Sequence, residues 1–324
     1  MLSRRTLLAA GLMAGVSGAF PRRGIVHAAA SQPHTTVSFD VPAGATDCAV
    51  HVFGDVKRHP YWDGRTYTPE PATVAELRRV MQTLRLNRVV IVQATTYGTD
   101  NTCVVDSIRE LGSGARGVAI IDGRTTESEL DGMHRGGVRG IRLNLGNLGA
   151  TDPAAARQSV KAAGERMKTR TGWSLQVSAT PATFEAAKEE LMAVSVPLVV
   201  DHFGEPRAAE GLGQTGFATI LNLVGSGKAY VKISNADNLS SRPDLSDLTP
   251  YATALIAANP QRVVWGTAWP HPSAGAVPGR RATDLAVHRQ VDDGRALNML
   301  PVWAPDATTR RMILADNPAR LYGF

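Results

Sequence analysis

Three histidines stand where a buried apolar run would release the chain: His51 after Cys48-Ala49-Val50, His202 after Pro197-Leu198-Val199-Val200-Asp201, and His271 after Trp269-Pro270. An imidazole exchanges protons near neutral pH, so each can carry a proton to or from a reacting oxygen. His202, at the end of the most apolar run, and His51 are the candidate catalytic residues, with hydrogen bonding to a neighbouring loop as the structural alternative. Arg142 and Lys232 bring positive charge to the ends of two further runs. In a partly dry pocket such groups hold an acid or a developing oxyanion; otherwise they pair with Asp201 or Asp237.

Around these lie residues suited to reading a substrate. Trp269-Pro270-His271-Pro272 is a turn stiffened by two prolines, in which Trp269 can wall a pocket and His271 can present a ring nitrogen. Asn144 follows Arg142 closely, and Gln176 sits in Ser174-Leu175-Gln176-Val177-Ser178, where it reads substrate polarity or is a satisfied core amide. Tyr97, Thr99, Asp100 and Asn101 can reach a hydroxylated substrate, although Asp100 and Asn101 equally suit a helix cap. Asp47, Ala49 and His51 alternate along one strand, so period-two geometry places Ala49 and His51 on one face with Asp47 beneath. That spacing suits a His-x-His metal pair, but one member is an alanine, and no metal or other cofactor is expected.

The elements that must position these side chains recur eight times. Candidate strands run over 46–53, 88–94, 115–122, 138–144, 174–178, 196–202, 229–234 and 263–267, and longer helical stretches fill the gaps. Thr73-Val74-Ala75-Glu76 has the spacing of a capping box, Thr125-Thr126-Glu127-Ser128-Glu129 opens another helix and Pro181 a third. Asn317-Pro318 is expected to end the last helix, which runs from Asp306 to Leu314. Eight strands predict a single (β/α)8 TIM barrel of class α/β, with active residues at the C-terminal strand ends. A doubly wound open sheet is the alternative. It requires a glycine-rich phosphate loop after an early strand, and Val52-Phe53-Gly54-Asp55-Val56 lacks one.

The chain has 324 residues, 43% of them hydrophobic, and two cysteines, Cys48 and Cys103, too few for a disulfide framework and best read as small buried apolar residues. Residues 1–30 read as a twin-arginine export signal: Arg4-Arg5 precedes a weakly apolar run, and Ala28-Ala29-Ala30 suits a signal peptidase. Removing them takes away Arg4, Arg5, Arg22 and Arg23 and no acid, so the formal charge falls from +6 to +2. Basic residues elsewhere alternate with acids, which excludes a nucleic-acid surface. No later segment has eighteen consecutive apolar residues, so no stable membrane association is expected once the signal is cleaved. The expected organisation is a signal over 1–30, a linker over 31–45 and a barrel over 46–324, in the bacterial periplasm; the oligomeric state is left open.

Together, T-D-C-A-V-H-V-F-G, Y-G-T-D-N, G-V-R-G-I-R-L-N, D-H-F-G and W-G-T-A-W-P-H-P resemble the amidohydrolase-related group that includes 2-pyrone-4,6-dicarboxylate lactonase and D-galactarolactone isomerase. The resemblance spans roughly 39–324. It implies an amidohydrolase-like barrel acting on a small acidic or polyhydroxylated lactone. Metal-dependent relatives open with His-x-His and close with aspartate; here Ala49 and Ala268 hold those places, and Arg142 and Gln176 hold others. The lactonase branch has aspartate at the position of Ala268 and uses it to activate water. The resemblance therefore implies a metal-independent hydrolase, an intramolecular lactone isomerase that needs no external water, or an inactive acid-binding relative.

Overall fold

All eight expected strands form, and they lie parallel in sequence order in one sheet. They are β1 Thr46–Val50, β2 Arg88–Val92, β3 Ala115–Ala119, β4 Val138–Gly146, β5 Ser174–Ala179, β6 Leu198–Val200, β7 Ala229–Ser234 and β8 Val263–Gly266. The computed structural model describes residues 30–146, 148–275 and 278–324. The expected export signal thus lies almost wholly outside the described residues. Just past β8 the sheet meets β1: His51 N–H donates to the Trp269 carbonyl (2.8 Å) and Ala268 N–H to that of Ala49 (2.7 Å). This seam closes the sheet into the predicted barrel and removes the doubly wound alternative.

The strands are buried on both faces, as helices outside and side chains inside require. Cys48, Val90, Val118, Tyr230 and Val264 pack together in one cluster, with Leu321 and Tyr322 of the last helix against them. Phe324 lies under the guanidinium groups of Arg88 (5.2 Å) and Arg116 (4.8 Å), fixing the chain end by cation–π attraction. Both cysteines are free and buried.

The helix starts follow their sequence signals. Thr73 and Glu76 form a reciprocal capping box before the helix Val74–Thr83, and Thr126 and Glu129 do the same before Glu127–Arg135. Asn317-Pro318 does not end the last helix. A π-helical turn over Met312–Asp316 leads directly into the helix Asn317–Tyr322, where Pro318 occupies the first turn and its missing N–H is not needed. Residues 30–45 are not a free linker: Val37 and Ala45 are buried, Thr35 binds Asp292, and the Ser31 carbonyl accepts from Trp269 Nε1 (2.9 Å).

Candidate active site

At the C-terminal ends of the strands the barrel opens into a cavity of about 410 Å³. His51, Arg142, Asn144, His202, Ala268 and His271 all line it, so six positions from four different strand exits converge. A small crevice at its floor is bounded by Ala49, Gln176 and Asp201 and shares His51, Arg142 and His202 with the main cavity.

β1 delivers His51 through an irregularity. Three residue steps on β1, Asp47 to Val50, match two on β2, Val89 to Ile91. This bulge breaks the expected alternation. Asp47 is turned into the β1/β8 seam, where it accepts from the N–H groups of Ala49 and Thr267 (3.0 Å each) and from the Thr267 hydroxyl (2.7 Å). Burial nevertheless pushes its carboxyl up to about 7. His51 Nδ1 lies 2.8 Å from the Val92 carbonyl, which selects the tautomer with the proton on Nδ1 and leaves the Nε2 lone pair available. Burial first, and Arg142 second, lower its pKa to about 3, so the ring is neutral at physiological pH.

His202 Nδ1 lies 2.9 Å from Ser234 Oγ at the end of β7, and burial lowers its pKa as well. Asp201 beside it receives Arg142 Nε (3.1 Å) and Gln176 Nε2 (2.8 Å) on one oxygen, and Lys232 Nζ stands 3.4 Å from the other. Lys232 also donates to Gln176 Oε1 (2.6 Å). Burial alone raises the carboxyl pKa, but Lys232, His202 and Arg142 overcome it and hold Asp201 ionised well below the ordinary range. Arg142 therefore faces the cavity with its outer nitrogens while Asp201 fixes its inner edge.

Several expected substrate contacts are placed elsewhere. Lys232 is fully buried and does not line the cavity; it belongs to the layer that orients Asp201. Gln176 reaches only the floor crevice, bridging Asp201 and Lys232. Trp269 is fully buried, tied to Ser31, and stands behind the wall. Tyr97 accepts from Gly54 N–H (3.1 Å) and packs against Phe53 and Tyr61, away from the lining. The tyrosine that does line the cavity is Tyr67, close to Thr95 and Arg142, with its hydroxyl pushed up to about 12 by burial. Asn235, Asn238 and Arg289 also line it. Tyr67, Asn238 and Arg289 gave no sequence signal, because none stands at the end of a periodic run, whereas Asn235 directly follows the last residue of β7.

His271 forms one side of the mouth, with Nε2 3.1 Å from Asp293 and Nδ1 3.7 Å from Asp237. Burial opposes its protonation, but the two carboxylates outweigh it and raise the pKa. Positive φ angles gather at these exits: His202 (49°), Phe203 (57°), Asn235 (58°), Ala268 (71°) and His271 (61°). Left-handed backbone at bulky residues is held only where surrounding structure over-determines it, and it marks the loops after β6, β7 and β8 as shaped for a site.

The donor set does not fit the paired-metal centre of metal-dependent barrels. Ala49 and Ala268 present methyl groups, the Gln176 amide is consumed by Asp201 and Lys232, and the Arg142 guanidinium adjoins the two imidazoles. Among the described residues no group of three or more His, Cys, Asp or Glu side chains is placed to hold a cation.

A family model described as amidohydrolase matches residues 46–324. The chain is 32% identical over 294 residues to a 2-pyrone-4,6-dicarboxylate hydrolase of Comamonas testosteroni, covering 88% of this chain and 92% of that one. It is 30% identical over 289 residues to a 4-sulfomuconolactone hydrolase of Hydrogenophaga intermedia (88% and 90% covered). It is 27% identical over 294 residues to a D-galactarolactone isomerase of Agrobacterium fabrum (87% and 91%). A crystal structure of an Agrobacterium tumefaciens protein superposes with a TM-score of 0.75 at 24% identity, covering 90% of this chain and 98% of that one, which shows a common fold.

Proposed function

The chain belongs to the amidohydrolase family, and from that premise we propose that it is a metal-independent hydrolase of a lactone of an acidic or polyhydroxylated compound. The observation that carries the reading is the meeting of neutral His51 and His202 with the Arg142–Asp201 pair at one cavity floor. Arg142 holds the acid or the carbonyl oxygen as it gains charge, in a water-poor setting where such contacts are strongest. His202 takes a proton from water as its oxygen bonds to the carbonyl carbon. The ring C–O bond then breaks, and the same proton passes to the leaving alkoxide, giving the open hydroxy acid. His51 and Tyr67 complete the polar wall, and His271 and Asn144 meet the distal part of the substrate. Lactone hydrolases among the relatives support the substrate class.

A second reading, intramolecular lactone isomerisation, is favoured by Ala268. With a methyl at the end of β8, a hydroxyl of the substrate itself can replace activated water as the nucleophile. Turnover in 18O-enriched water separates the two: hydrolysis places the label in the product carboxylate, and isomerisation leaves the product unlabelled with its ring moved. Lactones that bind without turnover point instead to an inactive acid-binding relative.

We also propose export through the twin-arginine route. Arg4-Arg5 and the following apolar run support it, and retention in the cytoplasm of the wild-type chain in a bacterial host contradicts it.

A further inference from the structure

Charge is distributed unevenly along the cavity. At the floor Arg142 and Lys232 share a single carboxylate, Asp201, so one positive charge is in surplus beside the two imidazoles. Glu205, near His202, accepts the Ser178 hydroxyl (2.5 Å) and does not line the cavity. At the mouth the balance differs. Arg289 is tied to Asp237 by a short ion pair, and His271 lies between Asp237 and Asp293. Two carboxylates face one guanidinium and one imidazole there. The four groups Arg289, His271, Asp237 and Asp293 therefore carry no surplus positive charge in either protonation state of His271, and the Arg280 guanidinium donates to the Gly275 carbonyl at the rim.

What lines the rest of the mouth is amide. Asn144, Asn235 and Asn238 line the cavity, and their carboxamides have no hydrogen-bond partner among the described residues. A carboxamide both donates and accepts, which matches a hydroxyl and does nothing to neutralise a second carboxylate. Seating a second acid there demands desolvation without a free counter-charge.

Resting on the lactone reading above, we propose that the substrate carries one acidic group and a hydroxylated, uncharged remainder. The acid sits against Arg142 and the hydroxyls sit among Asn144, Asn235 and Asn238. Asp237 is the specificity determinant: by cancelling Arg289 it turns dicarboxylate lactones away.

The test compares glucaro-1,4-lactone, with one carboxylate and several hydroxyls, against 2-pyrone-4,6-dicarboxylate, with two carboxylates and no hydroxyl. Affinity by calorimetry and turnover are measured for wild type, D237N and N235A/N238A. Wild type is expected to favour the hydroxylated lactone by about tenfold or more. D237N frees Arg289 and shifts the ratio towards the dicarboxylate by about tenfold, while N235A/N238A weakens only the hydroxylated ligand. The asparagine variant keeps the proposal testable should D237N fail to fold. A wild-type preference for the dicarboxylate overturns this inference and leaves lactone chemistry standing. Neither lactone being bound or turned over overturns both.

Discussion

Asp201 fixes the inner edge of Arg142: the carboxylate accepts from Nε at 3.1 Å with both side chains almost fully buried. An arginine held by that edge keeps its outer nitrogens directed at the cavity it lines, and the buried ion pair is completed from below by Lys232 and Gln176. The site is thus a layered charge arrangement, with the reactive surface above and its support beneath.

Arg142→Lys keeps the charge and loses the planar fork, so the Asp201 bond and the outward face cannot both be kept. kcat/KM for the preferred lactone is expected to fall by about 10- to 100-fold, the size of one lost charged hydrogen bond. Steady-state kinetics check this, and an unchanged kcat/KM removes Arg142 from substrate contact.

Lys232→Met strands Asp201 with one cation fewer in a dry setting. Urea unfolding should show a loss of about 3–5 kcal/mol, the range for breaking a buried pair. Removing Arg207 from its exposed pair with Glu210 should change little. A loss in K232M no larger than in R207A contradicts the supporting role given to Lys232.

The two low-pKa imidazoles set the pH profile. Because His51 is held at about 3 and His202 below its ordinary 6.5, any acid limb of kcat/KM from these two rings should lie below 6.5, and a limb above that value contradicts the neutral-imidazole site. Asp47 makes a separate, thermodynamic prediction. Between its ordinary 3.8 and about 7, the folded chain keeps a proton that the unfolded chain has released, so Asp47 weakens the fold as pH rises through that window. His51 works in the opposite sense, since below 6.5 the unfolded chain gains a proton that the folded chain refuses. Comparison with D47N isolates the first effect: wild type should lose stability relative to D47N as pH climbs from 4 to 7, by at most about 1.4 kcal/mol per unit. A pH-independent difference in urea unfolding rules it out.

Ala268→Asp tests the missing carboxylate. Ala268 has φ of 71° and lines the cavity with His51 and His202, and aspartate tolerates that backbone better than alanine. The variant should fold at least as well as wild type and raise lactone hydrolysis by about 10²–10⁴-fold if water activation limits the reaction. No gain in hydrolysis, with ring migration retained in wild type, favours isomerisation as the natural reaction.

The sequence displays the barrel because its strands are short β-branched runs such as Val89–Val92 and Leu198–Val200, and its helices open on local signals such as Thr73 with Glu76. Strand-end residues His51, Arg142 and His202 inherit their placement from those runs, so their convergence is legible too. Loop geometry is not. Tyr97 and Tyr67 are the same residue type in neighbouring exits, yet only Tyr67 turns inward, and nothing in their flanking residues distinguishes them. The bulge in β1 and the helical passage through Pro318 depend on packing between distant elements, which no local pattern encodes.

Metal dependence is the most direct measurement. Lactone turnover by protein stripped with a strong chelator, with bound metal quantified in the same sample, should equal that of untreated protein at far less than one metal per chain. Activity that vanishes on stripping and returns with added zinc or manganese would contradict a site in which imidazoles and Arg142 act alone.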